Sequence, residues 1–353
     1  MAGRTVVPGA PGGSLVRVAV VGGGVYGCVS AADLARDGHQ VTLYERRREL
    51  LLGATRANQG RIHRGYHYPR SPETAAECKD NAAMFEARFA DAIVRDAHHH
   101  YGVAVTGSRT TPERYRSFLA EAGLTGWRPV NTLMESAHPL DLLLLTTDET
   151  FVDVDRLRGL LWRELAICGV EVVQEVTVSE RELARYDRVV HATYGRGWPE
   201  PLQWEVVEVL LARLPTHLRA FSLVVLDGPF CSVDPLPDGR HMIYDVERSV
   251  LSRNVGLEPL IPPGAGEIID AGPFRIGWRW QEILNAASRY VPELRQVHDV
   301  ESMLTVRAVL PDAEATDARP ALVALRGKDL HVLPGKIASC VSAARRVVEL
   351  CRG

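Results

Sequence analysis

Val18 to Val21 is a short apolar run that breaks at a glycine-rich turn, and Ala31 to Leu34 then sits within a helix-like stretch. A second apolar run follows and ends on Glu45, so the pattern predicts strand, turn, helix, strand. Ser71 to Val94 opens with a proline at Pro72, holds no glycine and predicts one long helix. Tyr101 to Val105 reads as a strand and Thr111 to Ala122 as a short helix. Phe151 to Cys168 predicts a helix whose apolar stripe is Leu157, Leu160, Leu161 and Leu165, closed by Gly169. Val170 to Val173 is a strand, and Tyr186 to Gly195 a buried strand running into a turn. From Trp204 to Val309 the pattern changes to strands such as Phe221 to Leu226, Cys231 to Val233 and His241 to Val246. Pro237-Asp238-Gly239 supplies a turn there, and Trp278 to Tyr290 an interposed helix. The chain closes with a strand at Leu330 to Leu333 and a helix from Ile337 to Cys351.

This order predicts an α/β protein: a Rossmann-type dinucleotide-binding domain joined to a smaller, mixed and largely antiparallel β-sheet domain. The first domain is expected to be discontinuous, drawing on residues 16–85, 151–200 and 326–353. The second takes residues 86–150 and 201–325, and residues 1–15 form a flexible tail. Gly22, Gly24 and Gly27 have the G-x-G-x-x-G spacing. Gly22 permits the tight turn, Gly24 admits a pyrophosphate to the backbone, and Gly27 lets the helix pack against the strand. Phosphates then meet the positive end of the helix, and Glu45 accepts hydrogen bonds from ribose hydroxyls.

Composition narrows the classes further. A net charge of −3 gives no general attraction to nucleic acid, and no apolar run approaches the length of a bilayer span. The six cysteines are scattered without a C-x-x-C pair, which suits reduced thiols and a cytoplasmic setting. Heavy use of Arg, Ala, Val and Leu points to a GC-rich bacterial source and a biosynthetic role.

The glycine fingerprint, the turn Ala192-Thr193-Tyr194-Gly195 and the terminal strand-glycine-helix together resemble the FAD-dependent D-amino-acid oxidase superfamily. That superfamily includes glycine and sarcosine oxidases, glycerol-3-phosphate dehydrogenase and L-2-hydroxyglutarate oxidase. Residues 53–69, GATRANQGRIHRGYHYP, are similar to its segment after the second strand, matching at Asn58, Ile62, His63, Gly65 and Tyr68. Arg56, Gln59 and Arg61 depart from its usual residues, and the C-terminal cap is reduced to Pro334-Gly335-Lys336-Ile337. The resemblance implies FAD held by Gly22, Gly24, Val25, Tyr26, Gly27, Glu45, Arg46, Thr55, Asn58, Gln59, Ile62, His63, Thr193, Gly195, Gly335, Lys336 and Ile337.

It implies hydride transfer to flavin N5 from a C–N bond of a small polar amine or amino acid, or from the C–O bond of a 2-hydroxy acid. A non-redox flavin-dependent sugar mutase and an NAD-binding protein are the other classes. His63 is the expected group beside the ring, as substrate hydrogen-bond partner, proton acceptor or covalent flavin link, or as a brace for its loop. Tyr68 and Arg307 complete the catalytic expectation, Arg307 because a charge interrupts an apolar strand. A carboxylate-bearing small molecule would be met by Arg61, Arg64 or Arg70, with Tyr66 and Tyr244 lining the cavity. Oxygen is one candidate electron acceptor, with Lys336 available to assist it. His98, His99 and His100 alternate faces on a strand and are expected at the surface rather than on a metal; a nucleophilic role for Cys231 is disfavoured, because the sequence names no partner for it. Trp278 and Trp280 are expected to pack an amphipathic helix.

Overall fold

A computed structural model describes residues 15–130, 141–269, 271–275, 277–311 and 318–352, so the expected tail lies outside it except for Leu15. The first strand, Arg17–Val21, buries Val18, Ala19 and Val20 completely. It pairs in parallel with Gln40–Tyr44 on one side and Arg188–His191 on the other. Two-sided burial explains the unbroken apolar run, since parallel strands are covered on both faces. Asp329–Leu333 and Glu171–Val173 extend the sheet in parallel, and Leu322–Arg326 adds an antiparallel edge to make six strands. Residues 322–325 of this strand were expected in the other domain; a tight hairpin at Gly327, with φ +61°, returns them to this sheet. The helix Val25–Arg36 packs on the final helix Cys340–Arg352 in a core with Leu34, Ala344 and Val347.

The second sheet has nine strands. Its spine is Leu202–Ala212, which pairs along one edge with Glu301–Val309. Its other edge meets first Val250–Gly256 and then His241–Asp245, with the register shifting at Val206/Val207. All its pairings are antiparallel except Phe221–Val225 with His98–Ala104. A small third sheet joins Arg61–Ile62 and Ile93–Val94 to Thr150–Val152.

Several boundaries differ from expectation. The helix after Ser71 spans Pro72–Arg88, because Phe89 leaves helical geometry (φ −119°, ψ 37°) and the chain turns to pair Ile93–Val94. The helix expected from Phe151 begins at Val154: Asp153 caps it by accepting from the N–H groups of Asp155 and Arg156 at 3.0 Å. Trp280–Ala287 is shorter than the expected helix, and Trp278 lies outside it and exposed. The strand His98–Ala104 exposes His98 but buries His99, whose ring stacks on Phe151 at 4.3 Å, so the surface expectation fails there. Among the described residues no helix is long and apolar enough to cross a membrane.

Candidate active site

The glycine turn shows three separate steric demands. Gly22 has φ +109°, and a Cβ on it would lie 2.6 Å from the Ala192 carbonyl oxygen. A Cβ on Gly27 would lie 1.8 Å from the carbonyl oxygen of Gly22, so backbone excludes a side chain at both. Gly24 differs: the nearest protein atom to a Cβ there is Thr55 Oγ1 at 3.5 Å, an ordinary contact. Its missing side chain leaves open space in a cavity of ≈ 320 Å³. Glu45 ties the end of the second strand to this turn, its Oε2 accepting from Gly23 N–H at 2.7 Å and its Oε1 from Arg47 N–H at 2.9 Å.

Gly22, Gly24, Val25, Tyr26, Glu45 and Arg46 line one part of that cavity; Thr55, Asn58 and Thr193 another; Gly335, Lys336 and Ile337 a third. Tyr26 joins parts of the chain some 310 residues apart. Its hydroxyl donates to the Lys336 carbonyl at 2.6 Å and accepts from Gly335 N–H at 3.1 Å. Gly335 itself leaves no room for a side chain, with a Cβ falling 2.6 Å from the Arg319 carbonyl oxygen.

Trp204 and Val306 of the nine-stranded sheet line the cavity, and the residues that alternate with them form a polar cluster on the sheet's other face. Glu205 stands opposite Arg307 in register and is buried. It accepts from Arg307 Nε at 2.7 Å and from Arg253 Nε at 2.9 Å, two guanidinium groups on one carboxylate. Burial alone would raise the Glu205 pKa, but Arg307 and Arg253 outweigh it and hold the carboxyl below its ordinary range. The Arg307 guanidinium carbon lies 5.7 Å from the centre of the Tyr244 ring.

A second cluster centres on Glu149, which is buried. It accepts from Tyr101 Oη at 2.7 Å, Arg64 N–H at 3.0 Å and Arg61 Nη1 at 3.3 Å, and His63 Nδ1 lies 3.8 Å away. Burial works to raise its pKa, yet His63, Arg61 and His99 carry it well below the usual carboxylate range. His63 moves down from the ordinary imidazole value. Burial is the largest cause, Glu149 opposes it, and the charges of Lys336 and Arg61 reinforce it. The balance favours the neutral imidazole, which faces a carboxylate and lies within electrostatic reach of a lysine that lines the cavity. The Lys336 ammonium in turn sits 4.9 Å from the centre of the Tyr68 ring.

Residues 17–335 match the family model described as FAD dependent oxidoreductase. The chain belongs to this family. It is 26% identical to the FAD-dependent monooxygenase FPY4 of Fusarium mangiferae, covering 94% of this chain and 90% of that protein. It is 29% identical to the FAD-dependent monooxygenase kojA of Aspergillus flavus, covering 95% and 85%. Both relatives are fungal, which overturns the bacterial source expected from composition. Its fold is similar to that of glycine oxidase from Geobacillus kaustophilus, with TM-score 0.69, 18% identity and 95% of each chain covered.

The protein is an FAD-dependent oxidoreductase, and FAD is its cofactor. The geometry fits that group: an open glycine face at the start of a helix, an acid at the end of the second strand, and a cavity running to the Gly335-Lys336-Ile337 turn.

Other expected site residues fall elsewhere. Ile62 is wholly buried in the core, and Gly195, with φ +84°, is wedged against Leu202 and Ala308. Gln59 donates to Ser232 Oγ at 3.0 Å and lines a neighbouring cavity. Arg61 is buried, its guanidinium engaged by Asp234, Ser222 and Glu149, so its charge is already met inside the protein. Arg64 binds both oxygens of Glu86 at 2.6 and 2.8 Å, and Arg70 binds Asp227 at 2.7 Å. Tyr66 is buried and donates to Asp148 at 2.8 Å. None of these four lines either described cavity, and neither do His63, Tyr68, Arg307 or Tyr244, which lie behind the lining residues. Cys231 is buried and burial pushes its thiol up, which removes it as a nucleophile. Sequence reasoning missed Glu149, Glu205 and Arg253, whose partners stand 48 to 102 residues away.

Proposed function

We propose that this flavoenzyme oxidises the C–N bond of an amine or amino acid. FAD, when bound, supplies the hydride acceptor. The observation that carries the reading is His63, partly buried with its Nδ1 3.8 Å from Glu149 and its pKa lowered chiefly by burial. An amine must lose its proton before it can give up a hydride, and a neutral imidazole accepts that proton. Glu149 faces Nδ1 at 3.8 Å, and in this reading Nε2 is the atom that meets the substrate. Gly22, Gly24, Val25, Glu45, Arg46, Thr55, Asn58 and Thr193 hold the dinucleotide part of FAD, and the Gly335-Lys336-Ile337 turn receives its ring system. Arg307 and Tyr244 orient the substrate carboxylate. The Arg307 guanidinium lies beside the Tyr244 ring, and its planar fork suits a carboxylate.

The fold is shared with glycine oxidase and with an L-α-glycerophosphate oxidase alike, so the fold by itself does not choose between amine and alcohol substrates. The second reading is oxidation of a 2-hydroxy acid, because the same neutral His63 would accept a hydroxyl proton and the same arginines a carboxylate. Mixing the FAD-loaded enzyme under nitrogen with panels of amines, amino acids and 2-hydroxy acids tests both. Loss of flavin absorbance with an amine, and ammonia after hydrolysis of the product, is the expected result. Bleaching by hydroxy acids alone replaces it with the second reading.

A further inference from the structure

A second cavity, ≈ 560 Å³, lies between the first domain's loop 56–60 and the end of the nine-stranded sheet. Asn58 lines both this chamber and the cavity that holds the glycine turn, so the two are neighbours through one side chain. Its size falls in the range that encloses a drug-sized ligand, about 300–1,000 Å³, and far exceeds a two-carbon acid. Leu211, Met242, Met303, Leu236 and Phe151 give it apolar walls. Leu211, Met242 and Met303 belong to one packed cluster, against which Leu236 and Ala57 rest.

Four of the five arginines that line the chamber face carboxylates, and Arg219 is the fifth. Arg56 faces Asp155 at 3.6 Å, Arg95 faces Glu86 at 3.4 Å, Arg156 faces Asp153 at 3.3 Å, and Arg240 faces Asp238 at 2.7 Å. Arginines already paired with carboxylates offer little to a polyanion, while the walls between them reward burial of hydrocarbon. Asn58 is the polar residue common to both cavities, and beside it Gln59 lines the chamber and donates to Ser232 Oγ at 3.0 Å.

We propose that this chamber holds the apolar body of the substrate: an amine or amino acid carrying a hydrocarbon chain or ring, whose reacting C–N end reaches past Asn58 toward the flavin. The inference rests on the C–N reading above and replaces its small polar substrate with an apolar-bodied one. Leu236 and Val94 are partly exposed, stand on different elements and line the chamber. Neither belongs to the flavin cavity, so filling them tests the chamber alone.

The test is calorimetric titration of the FAD-loaded full chain with unbranched alkylamines from propylamine to octylamine. The dissociation constant should fall about four-fold per methylene until the chamber is full. Leu236→Trp and Val94→Trp should each flatten that series while keeping the flavin absorbance of the wild type. An affinity that ignores chain length in the wild type overturns the inference, as does a length dependence unchanged in both variants. Flavin bleaching is recorded separately. Length-dependent binding without bleaching by any amine keeps the chamber and removes the C–N reading; bleaching without length dependence does the reverse.

Discussion

Gly24→Ala separates what the protein needs from what its cofactor needs. Gly24 has φ −72° and ψ 175°, a conformation open to any L-residue, and a new Cβ would meet only Thr55 Oγ1 at 3.5 Å. The apo protein should therefore tolerate the methyl group. Alanine restricts the unfolded chain, worth about 0.4–1 kcal/mol in its favour, and is a poorer helix N-cap by a similar amount. The two offset to within about 0.5 kcal/mol. The methyl group projects instead into the space where the pyrophosphate meets backbone N–H groups. Losing two charge-assisted hydrogen bonds at about 1.5–3 kcal/mol each gives about 3–6 kcal/mol, a rise in Kd of about a hundredfold to ten-thousandfold. Titrating apoprotein with FAD by flavin fluorescence, beside thermal unfolding without FAD, measures both quantities. Gly27→Ala is the control, because its Cβ would collide with the Gly22 carbonyl at 1.8 Å and should destabilise even the apo form. Wild-type FAD affinity in Gly24→Ala, or apo destabilisation equal to that of Gly27→Ala, refutes the reasoning.

Tyr26→Phe leaves the Gly335 N–H and the Lys336 carbonyl without their shared partner and should cost about 1–3 kcal/mol in thermal unfolding, with weaker FAD binding; an unchanged midpoint and Kd would contradict the latch. Because burial holds His63 below the ordinary imidazole value, the acid limb of kcat/KM should lie below about pH 6.5, and a limb above it would remove His63 as the base. Glu149 raises the His63 pKa against burial, so Glu149→Gln should move that limb lower still, which a merely structural role would not do. His99 is pushed by burial to about 3. Between pH 6.5 and that value the unfolded chain binds a proton the folded chain refuses, so stability falls as pH falls. For this one group the loss is about 1–2 kcal/mol between pH 6.5 and 5, and His99→Phe should flatten the denaturant midpoint over that window.

The first strand, turn, helix and second strand were legible because each depends on residues near in sequence: an apolar run, three spaced glycines and a closing acid. The Gly335-Lys336-Ile337 turn was legible for the same reason, and it lines the cavity beside Tyr26. The strand Leu202–Ala212 was harder to read. Glu205 and Glu208 interrupt it as an exposed face would, yet both are buried. Their partners, Arg307 and Arg253 for Glu205 and the Trp278 and Arg279 N–H groups for Glu208, come from distant segments. Arg61 shows the same limit: the arginine in the 53–69 segment was visible, but Asp234, 173 residues on, decides where its charge is met. The start of the helix after Asp153 was recoverable, since aspartate is a strong N-cap and its carboxylate does cap two N–H groups.

Anaerobic reduction of the bound flavin tests the functional account most directly. The FAD-loaded enzyme is mixed under nitrogen with alkyl and aryl amines and amino acids, and absorbance near ~450 nm is followed. The account predicts bleaching by an amine with no nicotinamide present, slowed in His63→Asn at unchanged FAD content. A flavin that no amine bleaches, and that NADH or NADPH reduces instead, would contradict it.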